Sequence, residues 1–162
     1  MAPAFDPDRL PAHLRPLVER ALRDVDGCEA AIEALEQHAS EAAAGPDALV
    51  ALALVTYHEA ATLVLSRLAD ASQRALALLD EAERRGGRDT SRLRSLVRGT
   101  LERERRRERR MLARLGRPGG ARLSDVVELA HRLRMRGDHD LAAELLRHAD
   151  EAEPVTLERA AS

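Results

Sequence analysis

Residues 93–115 read LRSLVRGTLERERRRERRMLARL, and this stretch decides how the rest of the chain is organised. Its apolar residues recur every three or four positions up to Leu101 and resume at Met111, which predicts one long helix. Between these two residues every side chain is charged, and Glu104 and Glu108 take the positions where the apolar stripe would continue. A helix that is polar all round in its middle is typical of a solvated segment that bridges two packed bodies. We therefore expect one helical body before this helix and another after it.

The residues before this helix have the pattern of a helical bundle. Residues 14–25 keep the spacing of an amphipathic helix, and a second apolar stripe follows in residues 28–42. Residues 48–68 are so apolar that we interpret them as a buried central helix. A fourth helix precedes the long one. The expected breaks and caps are Gly45-Pro46, Asp47, Asp70 or Ser72, Gly86-Gly87, and Thr90 or Ser91.

Composition favours an all-α, non-enzymatic protein. The 162 residues include one Phe, one Tyr and no Trp, so strand-favouring aromatic residues are nearly absent. All 26 basic side chains are Arg, and the lack of Lys excludes Schiff-base chemistry and a phosphate-binding loop lysine. Cys28 is the single cysteine, which excludes an internal disulfide and a CxxC pair. Because no Ser/His/Asp set or paired catalytic carboxylates can be assembled, we predict no catalytic residues and no cofactor.

The sequence also predicts a location. The first residues, MAPAFDPDRLP, have neither a basic segment nor an apolar core, so no secretory signal is expected and we predict a cytoplasmic protein. The apolar stretch 48–65 approaches the length of a membrane span. His58 and Glu59 lie in its second half, however, and a carboxylate in lipid is costly. We therefore expect no membrane span.

Charge is distributed unevenly along the chain. Residues 1–83 hold 6 Arg and 15 acidic residues, residues 84–117 hold 14 Arg and 4 acidic residues, and residues 118–162 hold 6 Arg and 9 acidic residues. The near-neutral total thus conceals a basic middle between acidic ends. We divide the chain into a helical bundle at 1–88, an Arg-rich connecting helix at 89–117 and a helical hairpin at 118–162.

The C-terminal segment VVELAHRLRMRGDHDLAAELLRHADEAEP, residues 126–154, carries the spacing of two packed helices. Small residues allow the helices to approach closely, and large apolar residues fill the space around them. The positions that carry this pattern are Val126, Leu129, Ala130, Leu133, Gly137, Ala142, Leu146, Ala149 and Pro154. The pattern resembles about one tetratricopeptide repeat, near residues 123–155.

This resemblance implies a binding surface on the first helix of the hairpin. In such repeats that helix lines a concave face, which corresponds here to Ser124, Val127, His131, Arg134 and Met135. The Lys/Asn clamp that some members use for a carboxy-terminal peptide is not recognisable, so that specificity is not implied. The alternative is a generic hairpin, in which Val127 and Met135 are core residues and Arg134 faces solvent.

The Arg-rich helix provides a second candidate surface. Arg103, Arg106, Arg107, Arg110 and Arg114 share one face with little acid to neutralise it. Three interpretations are open: a solvated face, a site for an acidic protein partner such as the acidic bundle of a second copy, or a site for nucleic-acid phosphate. No groove-reading motif or stacking aromatic accompanies the charge, so nucleic acid ranks last.

The small size of the C-terminal hairpin predicts how the protein assembles. A hairpin of about 45 residues is too small to bury a sufficient core alone, so we expect self-association, as a dimer, or a tightly bound protein partner.

His58-Glu59 and the Glu-x-x-His pair Glu128 and His131 have the residue types of a di-iron bundle, but the motif occurs once and Thr62 replaces the second His. We therefore predict no metal site.

The leading hypothesis is a protein–protein interaction module, such as an adaptor, chaperone or assembly subunit. The alternative is an Arg-mediated nucleic-acid-binding or regulatory protein.

Overall fold

A computed structural model describes residues 6–41, 43–63, 65–115 and 123–147, apart from the side chain of Leu115. In these ranges the regular structure is helical and no strand is present, so the predicted all-α class is confirmed. Within the same residues, none of the helices combines the length and apolarity that a bilayer crossing needs.

The helices follow one another with short connections, and two of these contain a single turn of 3-10 helix (Val25–Gly27 and Leu65–Arg67). A further 3-10 turn, Pro7–Arg9, precedes the first helix. The last helix is described from residue 139 to residue 147. In chain order the helices are α1 (Arg15–Arg23), α2 (Cys28–Ala39), α3 (Pro46–Thr62), α4 (Leu68–Arg84), α5 (Ser91–Leu115), α6 (Leu123–Met135) and α7 (139–147).

The chain divides into two compact units, Met1–Arg103 and Glu104–Ser162. The division falls inside α5, whereas the sequence pattern placed boundaries at both ends of that helix. Each unit therefore contains part of α5 and is described separately.

Helix α3 forms the centre of the first unit. Its side chains are buried on every side from Ala48 to Ala53, and Val55, Thr56 and Ala60 are buried further along. The prediction of a buried central helix is confirmed for Pro46–Thr62. Helices α1, α2 and α4 and the start of α5 supply the rest of this core, through Leu14, Val18, Cys28, Leu35, Ala75, Leu79, Leu93 and Val97.

Two predicted caps lie elsewhere. Helix α3 has Gly45 as its N-cap residue and Pro46 in its first turn, so Asp47 lies inside the helix and its side chain makes no cap hydrogen bond. Helix α4 begins at Leu68, and Ser72 is buried within it. The predicted start at Asp70 or Ser72 is wrong because Leu68 is buried too, and this packing favours an earlier start.

Glycine ends both α4 and α6 in the same way. Gly86 and Gly137 have positive φ angles of 86° and 89°. The amide that follows each glycine donates to a carbonyl five residues back, from Gly87 to Ala82 at 2.8 Å and from Asp138 to Leu133 at 2.9 Å. This is the Schellman motif, which satisfies free carbonyls at a helix end. The predicted stops at Gly86-Gly87 and Gly137 are confirmed.

The second unit has a small core between α6 and α7. Leu129, Ala130, Leu133 and Ala142 are buried, and Leu145 and Leu146 pack against them. Val126 is buried as well. The expected continuation of α7 to residue 152, with Ala149 and Pro154, lies outside the described residues.

Candidate interaction surfaces

An ion-pair network joins α5 to α6 within the second unit. Arg132 donates from Nη1 to Glu104 Oε2 at 2.8 Å and from Nη2 to Glu128 Oε1 at 2.7 Å. Arg136 donates to both carboxylate oxygens of Glu108, at 2.7 and 2.5 Å. The side chain of Arg132 is only 1% exposed, so the network has a buried guanidinium at its centre.

The expectation of a helix solvated throughout its middle is therefore wrong at Glu104 and Glu108. These two positions continue the packed side of α5, as the apolar spacing implied, but arginines from α6 meet them instead of apolar side chains. Charge-assisted hydrogen bonds offset the free-energy cost of removing these carboxylates and guanidinium groups from water. The signal in the sequence was the matched spacing of four residues between Glu104 and Glu108 and between Arg132 and Arg136.

The network favours the ionised forms of Glu108 and Arg132. The hydrogen bond from Arg136 lowers the pKa of Glu108 and outweighs the opposing effect of burial. Burial alone would lower the pKa of Arg132, but its hydrogen bonds to Glu104 and Glu128 outweigh burial and raise it.

Helix α6 also neutralises two of the five arginines predicted to form a binding face. Arg107 Nη2 lies 3.1 Å from Glu128 Oε2, and Arg114 Nη1 lies 3.6 Å from Asp125 Oδ2. The expectation that little acid opposes this face is wrong at Arg107 and Arg114, because α6 brings its own carboxylates to them.

The other three predicted arginines are exposed. In the first unit, Arg103 donates from Nη2 to Thr100 Oγ1 at 2.9 Å. In the second unit, Arg110 donates from Nε to the carbonyl of Arg106 at 3.4 Å. Both contacts leave the side chains at the surface.

The structure adds Arg105 and Arg109, which the sequence analysis missed. Both are exposed, whereas Glu104 and Glu108 are partly buried against α6. Glu104 and Glu108 are thus directed toward α6, whereas Arg105 and Arg109 remain at the surface. Leu112 lies three residues after Arg109 and is 46% exposed. We call the set Arg105, Arg106, Arg109, Arg110 and Leu112 the arginine face.

The residues implied by the repeat resemblance lie together on α6. Ser124, Val127, His131 and Arg134 are exposed, and Met135 is half-buried. Their helical spacing puts them on the side opposite the buried residues of the hairpin. Val127 is 49% exposed, so the alternative in which Val127 is a core residue is wrong, whereas Arg134 faces solvent as that alternative expected. Leu123, one turn before Val127, is 46% exposed. We call Leu123, Ser124, Val127, His131 and Arg134 the α6 face.

The candidate metal ligands are not brought together. His58 and Glu59 are half-buried near the end of α3. The carboxylate of Glu128 accepts from Arg132 and Arg107, and His131 is exposed. No group of three His, Cys, Asp or Glu side chains with metal-binding geometry occurs among the described residues.

Cys28 is buried, and His13 and His38 are in contact through their rings. The Cys28 thiol is buried and donates to the carbonyl of Ala21 at 3.5 Å, and burial, with Glu59 and Asp24, raises its pKa. A buried thiol with a raised pKa is a poor nucleophile. The rings of His13 and His38 meet edge-on at 6.1 Å.

No protein-family model matches the chain, and neither a curated protein nor a solved structure matches it significantly. The α6 face and the arginine face are the two candidate interaction surfaces among the described residues.

Proposed function

We propose that this chain is a non-catalytic protein–protein interaction module, and that its α6 face binds a segment of a protein partner. In this proposal α6 and α7 form one tetratricopeptide-like repeat. The buried positions Val126, Leu129, Ala130, Leu133 and Ala142 support this interpretation, because the repeat pattern places core residues there, although Val126 and Leu133 replace the aromatic residues usual in the pattern.

The exposure of Leu123 and Val127 is the observation that carries the proposal. These apolar side chains lie one turn apart on a helix whose opposite side is already packed. His131 and Arg134 extend the same face with polar and positively charged groups. Contiguous exposed apolar groups with a polar rim are typical of interaction sites. A peptide segment with apolar anchors and acidic flanks has the matching chemistry.

Selection from a displayed library of random peptides on the immobilised full chain tests this proposal. We expect enriched peptides to be apolar and acidic, and V127D to weaken their binding at least about tenfold, since burying an unpaired carboxylate is unfavourable. The matched control is L96D, which makes the same change at a residue of α5 that is 50% exposed and outside both faces. Failure to enrich peptides over a blank surface would contradict the proposal, as would equal losses with V127D and L96D.

Nucleic-acid binding is the second candidate, and the arginine face is the observation that favours it. Four exposed arginines occupy two successive turns of α5, and arginine is well suited to phosphate. Four phosphate contacts would give a slope of up to about −3.6 in log K against log salt concentration. Fluorescence anisotropy with a labelled DNA duplex at several salt concentrations measures this slope.

The variant R109E/R110E is expected to abolish such binding, and R67E/R88E is the control. The control changes the net charge equally at two exposed arginines outside α5. Equal retention of the duplex by both variants would show that the arginine face is not a phosphate site.

A further inference from the structure

We propose that the arginine face of one copy binds helix α2 of a second copy, so that the protein associates with itself through opposite charges. This inference rests on the proposed function as an interaction module and names one partner for it. It uses a surface different from the α6 face.

Helix α2 carries an acidic stripe on its solvent side. Asp26, just before the helix, and Glu29 and Glu33 are exposed, and Glu36 on the same side pairs with Arg74 of α4. Glu29 and Glu33 form no ion pair within the described residues. We call Asp26, Glu29, Glu33 and Glu36 the acidic face.

The acidic and arginine faces match in spacing. Glu29 and Glu33 are four residues apart, as are Arg105 and Arg109, and Arg106 and Arg110. Four residues of α-helix span about 6 Å, so two helices laid side by side bring the carboxylates opposite the guanidinium groups. Arg and carboxylate form strong, often bidentate pairs. Leu112 adds an apolar contact beside the charges.

The charge balance of the chain favours a second copy as the occupant. The segment that contains α2 has nine more acidic residues than basic ones, and the segment that contains the arginine face has ten more basic residues than acidic ones. Because every copy carries both faces, two copies can exchange them reciprocally. In the proposed dimer the exchange is reciprocal, so that the same contact forms twice, as in an isologous association.

Light scattering after size-exclusion chromatography of the full chain tests the self-association. Each copy has a mass of 17.8 kDa. We expect twice that mass at about 0.05 M NaCl and a shift toward the single-copy mass at about 0.5 M NaCl, since exposed ion pairs are screened by salt. A single-copy mass at low salt and high protein concentration would overturn the proposal.

Charge reversal on each face identifies the surfaces. The variant E29R/E33R replaces two carboxylates of the acidic face with guanidinium groups, and R109E/R110E replaces two guanidinium groups of the arginine face with carboxylates. Each change removes the charge complementarity of both contacts in a dimer of identical copies, so each variant is expected to be monomeric alone. In a mixed dimer one contact joins the two unchanged faces and the other joins the two altered faces, and we expect this mixed dimer to form. The proposal fails if either variant alone retains the double mass, or if the mixture stays monomeric while circular dichroism shows both variants folded.

Matched controls separate a specific contact from overall charge. The control D140R/E144R makes the same charge change with the same spacing at exposed residues of α7, and R67E/R88E is the counterpart for the arginines. We expect each control to dimerise like the unmodified chain. Loss of the dimer in both controls would show that net charge alone governs association.

The peptide-binding assay distinguishes this inference from the proposed function. If V127D abolishes peptide binding and R109E/R110E retains it, the proposed function stands whatever the outcome for the dimer.

Discussion

At the scale of single residues, Arg132 is the side chain on which the second unit depends most. It is fully buried and compensates two carboxylates, Glu104 and Glu128, which are 14% and 30% exposed. Its Nε has no hydrogen-bond partner among the described residues. A buried ion pair adds little net stability compared with apolar residues, but the loss of one partner is costly.

Replacing Arg132 by alanine is therefore expected to destabilise α6 by about 3 kcal/mol, because Glu104 loses the guanidinium that pairs with it and Glu128 keeps only its pair with Arg107. Native-state hydrogen exchange of the α6 amides measures this change in the second unit. The control R134A removes an exposed arginine from the same helix and should alter stability by less than about 0.5 kcal/mol. Equal effects of the two variants would contradict the buried network.

The carboxylate of Glu108 predicts a dependence on pH. Since its hydrogen bond from Arg136 lowers the pKa in the folded state below the ordinary value of 4.5, the ionised form is favoured by folding. Its contribution to stability is complete above that value and is lost as the pH falls through the folded pKa. Thermal unfolding followed by circular dichroism should show E108Q less stable than the unmodified chain at pH 6, with the difference shrinking toward pH 3. A constant difference across this range would argue against the prediction.

At the scale of helices, the same substitution has opposite effects at two glycines. Gly99 lies inside α5, where the nearest atom to an added Cβ, beyond the chain neighbours and the helix backbone, is Arg103 Nη1 at 3.9 Å. Gly137 ends α6 with a φ of 89°, a conformation that a Cβ disfavours.

G99A is expected to stabilise the protein by about 1 kcal/mol, because alanine favours helix over glycine by that amount. G137A is expected to destabilise it by about 1 kcal/mol, because a left-handed residue with a Cβ is strained. Thermal unfolding of both variants measures the two effects, and each serves as the control for the other. A shift of the same sign in both would contradict the assignment of one glycine to a helix interior and the other to a helix end.

At the scale of the whole molecule, the two units have cores of different size. The first unit buries residues from α1, α2, α3, α4 and the start of α5 around a central helix. Among the described residues, the core cluster between α6 and α7 contains the four buried residues Leu129, Ala130, Leu133 and Ala142, and ion pairs between α5 and α6 supplement it. Local stability follows the amount of buried apolar contact.

Hydrogen–deuterium exchange of the full chain should therefore show the slowest exchange in α3, Pro46–Thr62, and faster exchange in α6 and in residues 139–147. Mass spectrometry of peptic peptides resolves these segments in one experiment. Protection in α7 equal to that of α3 would show that the ionic contacts contribute as much as the larger core.

The sequence by itself determined the helical class, the buried central helix and the glycine stops. These depend on local propensity and on the period of apolar residues, which are properties of neighbouring positions. The spacing of Glu104 and Glu108 continued the apolar stripe of α5, but we interpreted this segment as solvated. What the sequence did not determine was that Arg132 and Arg136 meet them.

Only the tertiary structure decided which charges face inward and which remain at the surface. A row of charged residues that pairs with another helix and a row that faces water look alike in sequence, because both consist of charged residues with strong helix propensity. The difference arises when α6 packs against α5 and pairs with Glu104, Glu108, Arg107 and Arg114, since electrostatic partners distant in sequence become neighbours through folding alone.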